Sequence, residues 1–213
     1  MDYILKRLFS DIYRDNTWGD PSEEDLFYSG DGSHKEEFVS EFVEPTIKFL
    51  ETFSSPPSVL DLGCGDFSVG SKIRSKCGKY IAADIVSELI EYNKIKYKNL
   101  DVEFLNLDIT TDNFPDAEII IVRQVFQHLS NYHIQKALTN ISKGNFKYLI
   151  SAEDKFHSMN DYDQTQKDFE PGFSIQVNRG IKISEPPFNF NYIEKMVLHD
   201  SGVVKGFIFQ LKL

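Results

Sequence analysis

Apolar residues follow two rhythms along the 213-residue chain. In YILKRLFSDIY, Ile4, Leu5, Leu8, Phe9 and Ile12 recur at the spacing of one helix face. A second helical stripe runs from Lys35 to Phe53 through Phe38, Phe42, Phe49 and Phe53, with Val39, Val43 and Leu50 beside it. Pro45 interrupts it and either kinks the helix or opens a new first turn. Between the stripes, NTWGDPSEEDLFYSGDGSHKEE has the Gly, Pro, Asp and Ser content of a loop.

From Ser58 onward, strand text alternates with helix text: SVLDLG and SVGSKIRSK, KYIAADI and SELIEYNKIKY, VEFLNLDI, AEIIIVRQ, YHIQKALTNIS, FKYLISAE. Continuous apolar strands between amphipathic helices predict a parallel sheet covered on both faces. The rhythm stops near residue 155, where a long polar stretch replaces the next helix. YIEKMVLHDSGVVKGFIFQLKL then reads as two strands of an antiparallel hairpin turning at DSG. The expected fold is α/β, a Rossmann-like three-layer sandwich whose mostly parallel seven-stranded sheet ends in an antiparallel C-terminal hairpin. It is expected to form one domain over 1–213, with a helical and lid segment at 1–54, a core at 55–213 and an acceptor loop at about 155–190.

Composition narrows the partners. No apolar run approaches the ~18 residues of a membrane span, and the charged start MDYILKRLFSDIYRD is unlike a signal peptide. Cys64 and Cys77 are too few for a disulfide framework, so a reducing cytoplasm is expected. A net charge of −10 argues against nucleic acid, whose binders carry excess Lys and Arg. A small-molecule or protein partner is expected, with no membrane partner; oligomeric state is not legible.

The candidate chemistry centres on DLGCGDFSVG, a strand that breaks into glycines and reopens as a helix. It lacks the Gly-Lys-Ser/Thr ending of a phosphate-binding loop. It has Gly63 and Gly65 of a dinucleotide turn, but Ser68 stands where the third glycine belongs, and the next glycine is Gly70. Asp61 before the turn and Asp66 inside it would repel a pyrophosphate, whereas S-adenosyl-L-methionine (SAM) is cationic at its amino group and sulfonium. Asp84 closes the second strand, where a carboxylate reaches ribose hydroxyls in both SAM and nicotinamide sites. Asp108, beside apolar Ile109, closes the third and suits an adenine edge and ring face.

VLDLGCG, AADI and LNLDI resemble the first motifs of class I SAM-dependent methyltransferases, and the terminal hairpin resembles that family's last two strands. The resemblance implies SAM as cofactor and S-adenosyl-L-homocysteine as product. It implies that Asp61, Gly63 and Gly65 face the methionine part, that Asp84 binds the ribose, that Asp108 with Ile109 faces the adenine, and that Ile85 is a further cofactor contact. A narrower likeness, in IYRDNTWG…YSGDGS, RQVFQHLSN and MNDYD…PGF…PPF, is to small bacterial methyltransferases associated with capsule and surface-polysaccharide biosynthesis. It implies a lid of Trp18 and the Ser29–Ser33 segment, and a sugar, phosphorylated or phosphoramidate-type acceptor.

Further candidates sit at strand ends. Arg123 closes the fourth strand opposite the glycine turn; it could hold a carboxylate of the cofactor or a phosphorylated acceptor, or form a salt bridge at the sheet edge. His128 is a candidate general base for the acceptor, or a helix-start capping residue. His133 is expected to be solvated. Trp18 and Ser33 are candidate cofactor contacts in the lid, with simple packing as the alternative for Trp18. Glu153 and Asp154 could be a base, an acceptor clamp or half of a metal site with Asp161 and Asp163, but no converging ligand set is legible and no metal is expected. Cys64 is expected to pack. The competing classes are an NAD(P)-dependent reductase and a non-catalytic SAM-binding module.

Overall fold

The computed structural model describes residues 2–154, 180–200 and 204–212. Helix α1 spans Tyr3–Arg14, and Asp2 caps it by accepting from the Ile4 and Leu5 N–H groups. It buries Leu5, Ile12 and Tyr13 and leaves Ile4 outside. A single helical turn, α2 (Asp31–His34), precedes α3 (Glu36–Leu50), which continues through Pro45 as one helix. Pro45 therefore does not begin a new first turn.

The core strands are β1 (Val59–Leu62), β2 (Tyr80–Asp84), β3 (Glu103–Asn106), β4 (Ile119–Arg123) and β5 (Tyr148–Asp154), followed by β6 (Glu194–Asp200) and β7 (Val204–Gln210). Short α4 (Gly70–Ile73), α5 (Ser87–Lys96) and α6 (Asn131–Ile141) connect them. The seven strands order as β3-β2-β1-β4-β5-β7-β6. β1 to β5 pair in parallel, and β7 pairs antiparallel with both β5 and β6. The expected architecture is present. The DSG turn lies largely outside the described residues, as does most of the expected acceptor loop, including Asp161 and Asp163.

Strand alternation divides the core into two layers. Leu60, Leu62, Ile120, Val122 and Leu149 face α6 and the Leu5 end of α1. Ile181, Ile183, Phe188 and Phe190 join them, covering this face of the sheet with a segment of turns. Val59, Ile119, Ile121 and Ile150 face Val39, Phe42 and Leu50 of α3. Asp61 continues the Val59 side, and Arg123 continues the Ile119–Ile121 side. Because Asp61 pairs in register with Ile121, both charged residues emerge beneath α3 where β1 and β4 end. Chain order reverses between these two strands, and ligands of open α/β sheets settle outside the carboxyl ends at such a point.

Candidate cofactor and acceptor site

A cavity of about 550 Å³ opens at that edge, a volume within the range of small-molecule sites. Asp84, Ile85, Asp108, Ile109, Asp61, Gly63, Gly65, Arg123, Gln124, Phe38, Phe42 and Val204 line it. Trp18, Ser29–Ser33 and His128 also line it. Asp61, Gly63, Gly65, Asp84, Ile85, Asp108, Ile109, Arg123, Trp18, Ser33 and His128 all line this one cavity, whereas Glu153 does not.

The glycine turn is fixed from three sides. Gly63 N–H donates to Ala83 O at 2.8 Å, Gly65 N–H donates to Asp84 Oδ2 at 3.1 Å, and Asn93 Nδ2 of α5 donates to Gly65 O at 2.7 Å. Gly65 has φ +57°, and a Cβ there would meet Ser29 Oγ at 2.5 Å. The absent third glycine at Ser68 has a substitute two residues on: a Cβ on Gly70 would stand 2.3 Å from the Phe67 ring and 3.0 Å from Asp61 Oδ2. The close helix–strand approach expected of a dinucleotide turn is thus made by Gly70. Ser68 is therefore no evidence against a nicotinamide site; the antiparallel β7–β6 end of the sheet distinguishes this fold instead.

Asp84 retains capacity for a ligand. Its oxygens accept from Gly65 N–H and from Val86 N–H at 3.0 Å, leaving lone pairs for ribose hydroxyls. Burial pushes its carboxyl up to about 6, against the backbone donors that favour the ion. Asp61 is pushed by burial up to about 7, although the Tyr80 hydroxyl donates to it at 2.9 Å and the Arg123 charge lies near.

Asp108 is more committed. Oδ1 accepts from Thr110 N–H at 2.8 Å and its hydroxyl at 2.7 Å; Oδ2 accepts from Thr111 Oγ1 at 3.1 Å and Asp2 N–H at 2.5 Å. These four donors use the capacity of one carboxylate. The residue shapes the cavity wall by holding the start of α1 and the 110–111 turn in place, and the half-buried Ile109 beside it offers the apolar surface.

Asp66 does not line the cavity. Its carboxylate takes Ser29 N–H at 2.8 Å, Ser68 N–H at 3.1 Å and His34 Nε2 at 2.6 Å. Burial would raise its pKa, but His34 and the Ser68 donors outweigh burial and hold it below the usual carboxylate value. Asp66 N–H donates to Ser29 Oγ at 2.8 Å, and Ser68 Oγ donates to Ser33 O at 3.0 Å. The acid is a clasp for the 29–34 segment.

Trp18 packs edge-on to Tyr13 with ring centres 5.2 Å apart, and its ring centre lies 5.1 Å from that of His128. His128 ends a short 3₁₀ turn, Phe126–His128, whose first two N–H groups donate to Glu153 Oε1 at 3.2 Å and Oε2 at 3.1 Å. Glu153 is thereby an anchor for the turn that presents His128, which corrects its reading as a base, clamp or metal ligand. Asp154 accepts from Gln124 Nε2 at 2.8 Å and donates its N–H to Gln127 Oε1 at 2.9 Å. His133 is buried, not solvated: Ser130 Oγ lies 2.8 Å from its Nδ1 and Asp2 Oδ2 lies 3.3 Å from its Nε2. It faces inward, toward Asp2 at the N-cap of α1. Burial and the surrounding carboxylates push the Cys64 thiol well above its usual range, the opposite of an activated nucleophile.

Tyr80, Asn93, Asp66 and Gly70 support the site but were not singled out for these roles by the sequence reading. Tyr80 sits in an ordinary strand and Asn93 in an ordinary helix, so neither carries a local signal. The repeated Ser-Gly pattern around Ser29 and Ser33 was the one hint that this loop meets the turn.

Residues 59–144 match the family model for the methyltransferase domain. No curated protein matches. Among solved structures, the N-methyltransferase NodS from Bradyrhizobium japonicum WM9, in complex with S-adenosyl-L-homocysteine, is similar at TM-score 0.66 and 12% identity over 99% of each chain. The DhpI complex with S-adenosyl-L-homocysteine gives 0.64 and 13% over 99% of each. Magnesium protoporphyrin IX methyltransferase from Synechocystis PCC 6803, with bound SAM, gives 0.62 and 13% over 100% of this chain and 98% of that one. At such identities these likenesses establish the fold. The domain match over residues 59–144 and the fold support a SAM-dependent methyltransferase, with S-adenosyl-L-methionine as its cofactor.

Proposed function

We propose that the chain methylates a small polar acceptor at oxygen, as one cytoplasmic methyltransferase domain that uses neither nucleic acid nor a membrane as partner. The observation that carries this reading is the single cavity in which the Asp84 carboxylate, the Gly63–Gly65 turn, the Trp18 lid and His128 meet. SAM, when bound, supplies an electrophilic methyl group on a cationic sulfur.

The residues have distinct tasks. Asp84 accepts ribose hydroxyls, Ile85 and Ile109 flank the adenine ring, and Asp108 braces that end through the Thr110, Thr111 and Asp2 groups it fixes. Gly63 and Gly65 let the backbone approach the methionine part, beside Asp61 and Ser33. Trp18 closes over the cavity against Tyr13 and His128. His128 takes or orients the acceptor proton at an imidazole nitrogen, and Arg123 holds an anionic group of the cofactor or acceptor. Alignment in a partly dry site contributes most of the rate, as for other displacements of this kind.

The resemblance to capsule-associated methyltransferases supports a sugar, phosphorylated or phosphoramidate-type acceptor in surface-polysaccharide biosynthesis. Calorimetry with S-adenosyl-L-homocysteine and NADH tests the cofactor class: binding of the former alone is expected, and binding of NADH alone would sink the reading. Asp84→Ala is expected to weaken S-adenosyl-L-homocysteine by ~1–3 kcal/mol. Turnover of a sugar or sugar-phosphate acceptor separates the enzyme from a non-catalytic SAM-binding module.

A further inference from the structure

Gln127 is a buried amide whose two ends face different partners. Its Oε1 lies 2.9 Å from the Asp154 backbone nitrogen at the end of β5. A backbone N–H only donates, so the amide atom it meets must be the oxygen. That one bond to the main chain fixes which way the amide faces. The opposite end, Gln127 Nε2, then lies 3.5 Å from His128 Nε2.

The amide NH2 has protons to give and no lone pair to offer. A ring proton on His128 Nε2 would confront another N–H, whereas a bare ring nitrogen there accepts from it. The contact is long for a hydrogen bond, so it orients the ring nitrogen without closing it to other donors. The second ring nitrogen, Nδ1, is shielded from solvent, which leaves Nε2 as the nitrogen that a ligand in the cavity meets. Both residues line that cavity, and their positions are fixed. Glu153 holds the Phe126 and Gln127 N–H groups, and the Trp18 ring packs 5.1 Å from the His128 ring, centre to centre.

We propose that Gln127 is a positioning residue: its amide, pinned by Asp154 N–H, holds the neutral His128 ring with the proton on Nδ1 and the lone pair on Nε2. The use of this arrangement in a reaction rests on the methyltransferase reading. The acceptor oxygen bonds to the methyl carbon, the carbon–sulfur bond breaks with its electron pair going to sulfur, and the acceptor proton passes to His128 Nε2. The products are the methylated acceptor, S-adenosyl-L-homocysteine and an imidazolium protonated on both nitrogens. In the opposite tautomer, Nε2 has no lone pair to receive that proton. The tautomer itself belongs to the free protein, whatever the acceptor.

The test is long-range proton–nitrogen NMR of the histidine rings, at a pH where imidazole is neutral, with His128 assigned by its loss in His128→Asn. Wild type is expected to show an unprotonated Nε2. Gln127→Glu keeps an oxygen for Asp154 N–H but turns a second oxygen toward the ring, and is expected to place a proton on Nε2. Gln127→Met removes the amide and is expected to leave a mixture of both tautomers, so it decides the matter where Gln127→Glu fails to fold. A proton on Nε2 in wild type overturns the proposal. So does the wild-type tautomer unchanged in either variant, provided that the variant melts like wild type. Calorimetry with S-adenosyl-L-homocysteine keeps the two readings apart: a wild type that binds none of it overturns the methyltransferase reading and leaves the ring-proton result standing.

Discussion

His34 Nε2 lies 2.6 Å from Asp66 Oδ2, joining the 29–34 segment to the glycine turn across 32 residues of chain. The same oxygen accepts Ser29 N–H, so one buried carboxylate holds both ends of the 29–34 segment over the cavity. Tyr13 adds to the clasp, its hydroxyl lying 2.9 Å from Ser29 Oγ.

Removing the clasp should loosen the lid before it unfolds the domain. Asp66→Ala is expected to weaken S-adenosyl-L-homocysteine by ~1–3 kcal/mol, the range for lost hydrogen bonds to a buried charge. Limited proteolysis should show new cleavage between residues 18 and 34, suppressed by saturating ligand. Wild-type affinity and an unchanged cleavage pattern would remove Asp66 from lid control.

Asp61 and Asp84 make stability and binding respond oppositely to pH. Both carboxyls sit above their ordinary value of 3.8, at about 7 and about 6, because burial penalises their ions. The folded state therefore holds more protons than the unfolded state between about pH 4 and 7, and their contribution to stability is lost as pH rises through that window. Ribose recognition needs the Asp84 ion, so S-adenosyl-L-homocysteine affinity should rise with pH through about 6 and level off near 7. Melting curves and calorimetry from pH 5 to 8 check both slopes. Asp61→Asn should flatten the stability profile while leaving the binding profile centred near 6.

Glu153 acts on His128 through backbone. Glu153→Ala strands the Phe126 and Gln127 N–H groups in a buried site, at a cost of about 1–3 kcal/mol. Turnover should fall further than cofactor affinity, since the displaced turn carries His128 and not the Asp84 end. Glu153→Gln, which retains an acceptor oxygen, should recover part of both losses; equal loss in the two variants would show that the charge itself matters.

Gly70 has no space for a methyl group. Gly70→Ala sets Cβ against the Phe67 ring and close to Asp61, and overpacking of this kind costs about 1–3 kcal/mol. Thermal unfolding measures it. A variant as stable as wild type would mean that Phe67, which is fully buried among Tyr80, Tyr97 and Phe104, can move aside.

Sequence alone determined the order of strands and helices, the glycine turn and the acids at strand ends, because these depend on local periodicity and on spacing along the chain. Asp84 and Arg123 were legible as residues at the cavity for that reason: a polar residue ending an apolar run lies at the edge of the sheet. What the polar groups bind was decided only by tertiary structure. Asp66 looked like part of the cofactor cradle and clasps the 29–34 segment, Glu153 was open between base, acceptor clamp and metal half-site and anchors the Phe126–His128 turn, and His133 looked exposed and is buried against Asp2. Their partners lie between 26 and 131 residues away. A hydrogen bond depends on distance in space, which a one-dimensional pattern does not encode until the sheet has closed the chain upon itself.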